Sequence, residues 1–246
     1  MIIKKQSVSA PAGDSPVPAI APVALSGVAT DARCFDLACT DCPRLAGFLA
    51  DVRRDKPAYF ARPVPAFGDP EAELLIVGLA PGMHGANRTG RPFTGDHAGI
   101  LLFQTLHECG FGSHAGSSEP DDGLELHNCR ITNAVKCLPP QNKPEPAEIR
   151  QCNHYLAAEL ALHPPRVVLA LGSIAHQAVL RTLGLKVKDF SFGHHAIHDL
   201  PLATGGTLRL YDSYHCSRYN TQTRRLTPNM FRAVFSDIRS FLQPRQ

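Results

Sequence analysis

Cys39 and Cys42, in a C-x-x-C pair, would place two thiolates on one tight turn, a spacing suited to two corners of a metal site. Cys137 follows an apolar strand-like run, and Cys152 falls in the helix-like segment beyond it. A strand end and the next helix can bring that pair together, so all four thiols can meet. Four thiolates suit zinc and a [4Fe–4S] cluster alike, and spacing leaves both open beside a third reading, unrelated buried thiols. Cys34, Cys109, Cys129 and Cys216 show no comparable spacing, and Cys109 and Cys129 read as small core residues.

Residues 78–96, GLAPGMHGANRTGRPFTGD, carry the most information. Their glycines let the backbone pass close to a ligand and expose amide N–H donors. Arg88 and Arg91 add charge suited to phosphates, and Phe93, in polar surroundings, offers a face for stacking on a base. Asp96 stands at the start of an apolar helix, where a carboxylate ionises easily. The plainer alternative is an anion-binding loop with Asp96 merely capping that helix. No Walker or dinucleotide fingerprint is present, which disfavours nucleotide cofactors.

Residues 213–227 lack apolar periodicity, so core packing does not explain them. His215 can donate or accept a proton near neutral pH. Ser217, Asn220 and Thr221 offer hydrogen bonds to phosphates, Arg218, Arg224 and Arg225 supply charge, and Tyr219 could push into a base stack. A solvated surface loop is the plainer alternative. His194 and His195 suggest metal by adjacency, but with no carboxylate at ligand spacing a structural or surface role is expected.

The elements that must position these residues follow from hydrophobic patterning. Four short apolar runs, 74–78, 130–135, 167–172 and 207–211, alternate with helix-like segments, the pattern of an α/β fold around a mainly parallel sheet. Helices are expected over 100–106, from Pro146 past Tyr155 to Leu160, and from a Ser173 cap to a stop at Gly184. A last one opens at Thr227-Pro228, with Phe231, Val234, Phe235, Ile238 and Leu242 on one face. Residues 110–123 read as a long polar loop, and 1–30, rich in Ala, Pro, Ser and Val, as a disordered tail. In open α/β sheets sites lie beyond the carboxyl ends of the strands, which puts chemistry after strands one, two and four.

The 246 residues carry a net charge of +3 and are 43% hydrophobic, mildly basic with enough apolar content for a sizeable core. Eight cysteines are too sparse for a disulfide scaffold. No apolar run reaches the roughly 18 residues that would span a membrane, and no secretory signature is seen, so a cytoplasmic location is the default.

Taken together, these segments resemble the iron–sulfur uracil-DNA glycosylases, in the branch called family 5. The likeness runs from about Cys39 to the C-terminal helix. Residues 78–96 look like that branch's first motif, which lacks the acidic residue that family 4 carries just after the opening glycine. TNAVKC (132–137) looks like the link from the uracil-reading strand to a cluster cysteine, and 215–227 aligns without gaps with the motif H-P-S-P…T-G-R-L-T. Cys216 and Arg218 depart from it where prolines are usual, and Arg224 where glycine is.

The resemblance implies a three-layer α/β/α sandwich around a central four-stranded, mainly parallel sheet, one domain over 31–246, and a monomer. It implies a [4Fe–4S] cluster on Cys39, Cys42, Cys137 and Cys152, with a structural role. It further implies a monofunctional glycosylase acting on uracil-containing DNA, single- or double-stranded. Asp96 and His215 would be catalytic, while Gly82, Met83, Phe93 and Asn133 would hold uracil. Arg88, Arg91, Ser217, Arg218, Tyr219, Asn220, Arg224 and Arg225 would meet the DNA. The rival readings are a broader range of deaminated bases, a uracil-DNA binding protein without turnover, and a zinc-stabilised nucleic-acid-binding module.

Overall fold

The four apolar runs become four parallel strands in one sheet, because each is buried on both faces and must be covered by helices on either side. In the computed structural model, which describes residues 35–243, the strands are β1 (Phe67–Gly68), β2 (Leu74–Gly78), β3 (Cys129–Asn133), β4 (Val167–Leu171), β5 (Ile197–Pro201) and β6 (Thr207–Ser213). The tail expected over 1–30 lies outside the described residues. The sheet order is β1-β3-β2-β4-β6-β5. Ile76 of β2 sits beside Ile131 on one flank and Leu169 on the other, and Leu169 beside Tyr211, so one apolar row crosses the parallel strands.

The sheet is therefore six-stranded, not four-stranded. The extra strands, β1 and β5, are antiparallel edges on β3 and β6. Neither announces itself in sequence: β1 has two residues, and β5 (IHDLP) buries only Leu200.

The α-helices are α1 (Pro43–Asp55), α2 (Ala86–Thr89), α3 (His97–Glu108), α4 (Pro146–Leu162), α5 (Ser173–Thr182), α6 (Arg218–Gln222) and α7 (Pro228–Leu242). One face of the sheet packs on α3 and α7, with Leu102, Phe103, Phe231 and Phe235 against Ile76 and Leu169. The other face packs on α4 and α5, with Leu156, Ala178 and Val179 against Val77 and Val168. A third apolar cluster joins α1 to α4 through Leu45, Leu49, Ile149 and Tyr155. The three-layer expectation thus holds.

Helix starts follow local chemistry. The Thr227 hydroxyl accepts from the Met230 amide at 3.3 Å, and Pro228 occupies the first helical turn of α7. At α5 the cap position is Gly172, with Ser173 the first helical residue; Gly172 has φ +100°, which a serine would rarely adopt. No described helix is long and apolar enough to cross a membrane.

Candidate active site

The chain runs from β2 to β3 on one flank and later returns to β4 on the other. The loops leaving β2 and β4 therefore diverge and open a crevice at the carboxyl edge of the sheet. A cavity of about 530 Å³ fills it. Its walls come from the ends of all four parallel strands: Leu79, Ala80 and Gly82 after β2, Asn133 ending β3, Gly172 to Ile174 after β4, and His215 after β6.

Asp96 reaches this cavity from the end of the glycine-rich loop. It stands at the cap position of α3, yet its carboxylate makes no capping bond there; Oδ2 instead accepts the Ala86 amide at 3.2 Å. A β-carbon on Gly85 would fall 1.9 Å from the carboxyl carbon, so only glycine lets the loop close over this side chain. Burial raises the pKa of Asp96, although the Ala86 amide and the charges of Arg88 and His84 pull it down. The helix-capping alternative is thereby set aside.

His215 faces the same space. Burial pushes its pKa down to about 4, so the ring is neutral at physiological pH, and its Nδ1 has no hydrogen-bond partner. The ring stacks on Phe93, with centroids 5.9 Å apart and planes inclined by 25°. The backbone behind it is pinned by Asn220, whose amide donates to the His215 carbonyl at 2.8 Å. Phe93 adopts φ +61°, an unusual conformation for a bulky residue, and it lies against Gly78. A β-carbon on Gly78 would come within 2.4 Å of Asn133 Oδ1 and 2.8 Å of the Phe93 ring, so this glycine lets the two side chains converge.

The expected site residues thus divide. Gly82, Phe93, Asp96, Asn133, His215, Ser217 and Arg218 all line the cavity. Met83 does not; it packs among the apolar residues of the α1–α4 cluster. Arg91, expected to meet the DNA, turns inward: it is 2% exposed, 2.5 Å from Asp122, and stacked 4.6 Å over Phe67. Arg88 is braced in the same way, bonded to both oxygens of Glu119 at 2.9 and 2.8 Å. Both partners sit in the long polar segment 110–123, which folds back on the glycine loop through Ser117 O accepting the Gly95 amide at 3.0 Å.

Residues 215–227 are not a plain surface loop. Ser217 caps the short helix α6 by accepting from the Asn220 amide at 3.4 Å. Arg218, Tyr219, Arg224 and Arg225 are exposed, Tyr219 at 70%, and Arg225 lies 4.5 Å over the Tyr214 ring. Asn220 is committed to the His215 backbone rather than to solvent. Arg224, standing where the resembling motif has glycine, takes φ +57°, a conformation that glycine adopts freely.

Sequence reasoning missed Asn142, Ile174 and the Gly172–Ser173 turn on the cavity wall. The strand-to-helix glycine at 172 was the available signal. His195 does have a carboxylate, Asp237 at 2.7 Å, in a partly exposed pair consistent with its expected surface role.

Cys39, Cys42, Cys137 and Cys152 line one small cavity between α1, α4 and the segment after β3, together with Lys136 and Tyr155. Cys137 lies four residues beyond β3, and Cys152 nearly two turns into α4. Arg44 ties α1 to α4 by bonding both oxygens of Glu148, at 2.8 and 2.7 Å. The Lys136 amide donates to the Cys152 sulfur at 3.3 Å. Burial pushes the Cys42, Cys137 and Cys152 thiols up, Cys152 to about 11, and the neighbouring cysteines add to each rise.

Comparison with known proteins agrees with this geometry. The sequence profile of the Uracil DNA glycosylase superfamily matches residues 65–239, so the chain belongs to that superfamily. The Type-5 uracil-DNA glycosylase of Thermus thermophilus is 49% identical over 208 residues, covering 82% of this chain and 93% of the relative. The proteins of the same name from Pyrobaculum aerophilum and Mycobacterium tuberculosis are each 42% identical, covering 77% and 82% of this chain and 82% and 77% of their own lengths. At these identities the type-5 branch is where the chain falls.

Proposed function

We propose that this chain excises uracil from DNA by hydrolysing the N-glycosidic bond, without cutting the strand. The observation that carries the reading is a buried carboxylate, Asp96, and a neutral imidazole, His215, on the walls of one cavity that Phe93 and Asn133 also line. The cavity is roomy enough for a flipped base, and the names of the relatives point to uracil.

An enzyme that acts on a base inside a duplex must first turn it out of the stack, at a cost of a few kcal/mol. Exposed Arg218, Arg224 and Arg225 hold phosphates on either side, and Tyr219 fills the space the base leaves. Uracil then lies on Phe93, with the Asn133 amide reading its polar edge. As the C1′–N1 bond breaks, its electron pair leaves with the base and positive charge grows on the sugar. His215, neutral but still carrying one N–H, donates to the uracil oxygen where negative charge develops; one such donor is typically worth about 3 kcal/mol. Asp96 stabilises the sugar cation and orients the water that adds at C1′. Its raised pKa makes it a better acceptor for the proton that water sheds. Among the described residues no lysine lines the cavity, and buried Lys136 is paired with Glu159 at 2.7 Å, which supports hydrolysis over strand cleavage.

On the same reading Cys39, Cys42, Cys137 and Cys152 hold a [4Fe–4S] cluster that cross-links α1 to the segment after β3. The residues fit such a group. Four thiols line one cavity, and burial raises three of them, so their thiolates need a cationic partner.

The test is an oligonucleotide with one U·G mismatch, treated with alkali after incubation, beside Asp96→Ala and His215→Ala. Alkali-labile cleavage at uracil that falls sharply in both variants is expected. Folded protein that retains uracil-DNA without releasing free base would replace catalysis by binding.

A further inference from the structure

Behind β6, on the α5 side of the sheet, three side chains from three elements converge. His176 comes from α5, His198 from β5 and Asp212 from β6, and their ligand atoms all lie within 4.8 Å of one another. Asp212 is fully buried, His176 is 1% exposed, and His198 keeps 17% of its side-chain surface. His176 Nδ1 is 2.9 Å from Asp212 Oδ1, and His198 Nε2 is 3.5 Å from Asp212 Oδ2. Neither His198 Nε2 nor Asp212 Oδ2 has a hydrogen-bond partner. A fully buried carboxylate oxygen without a partner is rare and calls for an occupant.

The protons narrow the choice of occupant. His176 Nε2 lies 3.0 Å from the Phe190 carbonyl oxygen, which can only accept, so Nε2 carries the hydrogen. In a neutral ring, Nδ1 then presents a lone pair to the Asp212 carboxylate at 2.9 Å. Two acceptors face each other unless a second proton or a cation lies between them. Metal-bound histidines commonly take this form, with one nitrogen on the metal and the other N–H donating to a carbonyl or carboxylate. Zinc bound by imidazole and carboxylate at about 2.0–2.1 Å sets tetrahedral ligand atoms about 3.3 Å apart. The observed approaches run to different oxygens of the carboxylate, 2.9 Å to Oδ1 and 3.5 Å to Oδ2, so Asp212 faces both imidazoles at once and all three ligand atoms lie close enough to meet one ion.

We propose that His176, His198 and Asp212 form a binding site for a divalent transition ion of the zinc class, separate from the four cysteines. Phe192 against His176 and Phe190 against His198, with centroids 5.7 Å apart in each pair, wall the site on its outer side. The ion joins α5, β5 and β6. From α5, the turn at Gly172 to Ile174 forms one cavity wall, and β6 runs directly into His215. The ion therefore braces that wall from behind, and these three residues position the site without touching substrate.

The experiment is zinc counting on the full-length protein, dialysed against zinc chloride and measured by elemental mass spectrometry, with thermal melts alongside. Parent protein and a Cys39→Ser/Cys152→Ser double variant should both hold this zinc. His198→Gln and His176→Phe should each bind it at least tenfold more weakly and lose the zinc-dependent rise in Tm. His198→Gln is the milder change because that ring is partly exposed, and circular dichroism confirms its folding. Zinc binding unchanged in both histidine variants overturns the proposal. Absence of saturable zinc in the parent overturns it too, and leaves a His176 imidazolium paired with Asp212.

Discussion

The base cavity and the pocket behind β6 each pair histidine with aspartate, and the two are built in opposite ways. In the cavity, His215 and Asp96 come from separate loops and neither neutralises the other: burial holds the imidazole down and the carboxyl up. Behind β6, burial also pushes His176 down, but the hydrogen bond and charge of Asp212 prevail and its pKa rises. Strain kept unrelieved is useful for chemistry, because both cavity groups gain when charge develops on a substrate. A carboxylate that draws a proton or an ion onto its imidazole is useful for holding elements together. Partnering, not burial, separates the two regions.

The largest effect that would sharpen this contrast is loss of the cavity carboxylate. Asp96→Asn should slow single-turnover uracil release by about 10³-fold, whereas His198→Gln, which removes only a brace behind the cavity wall, should slow it far less. Equal losses in the two variants would merge the regions into one site. His215→Gln should slow release by about 10²–10³-fold, the usual effect of removing one donor to a developing oxyanion.

Next in size is a pH effect on stability. An imidazole held near 4 in the fold but near 6.5 in the unfolded chain binds its proton only on unfolding. Its contribution is therefore complete above pH 6.5 and drains away as pH falls towards 4, by up to about 3 kcal/mol. The offset between the urea midpoints of parent and His215→Gln should be constant above pH 6.5, and the parent should lose ground steadily to the variant as pH falls from 6.5 towards 4; parallel profiles throughout would show that the ring titrates normally.

The smallest effect runs the other way. A carboxyl whose pKa is raised by folding detracts from stability wherever it is ionised, so Asp96→Asn should raise the Tm slightly at pH 7 while disabling the protein. A lower Tm in that variant would mean that the loop needs the charge.

Much of this molecule was legible before folding. The four parallel strands could be read because strands buried on both faces have no polar alternation to blur them. The Asp96 loop could be read because its glycines serve close approach, as Gly78 and Gly85 do. Arg91 misled because its partner Asp122 lies 31 residues away in a segment without periodicity, and charge type alone does not say which way an arginine turns. Asn220 misled similarly, an amide that suits a phosphate being equally suited to a carbonyl. His176, His198 and Asp212 lie on three elements with no shared spacing, and only the pairing of β5 with β6, itself unforeseen, brings them together.

That pairing bears on how the protein can vary. Along β6 the side chains alternate: Leu208, Leu210 and Asp212 turn towards α5, Tyr211 turns towards α3 and α7, and His215 leaves from the end of the strand. Asp212 therefore faces away from the cavity, and what happens there reaches the imidazole three residues on only through the strand they share. A single inserted residue within β6 would do the reverse, shifting every later side chain to the opposite face. A point change behind the strand reaches the cavity at second hand, while a change in its length moves the imidazole itself.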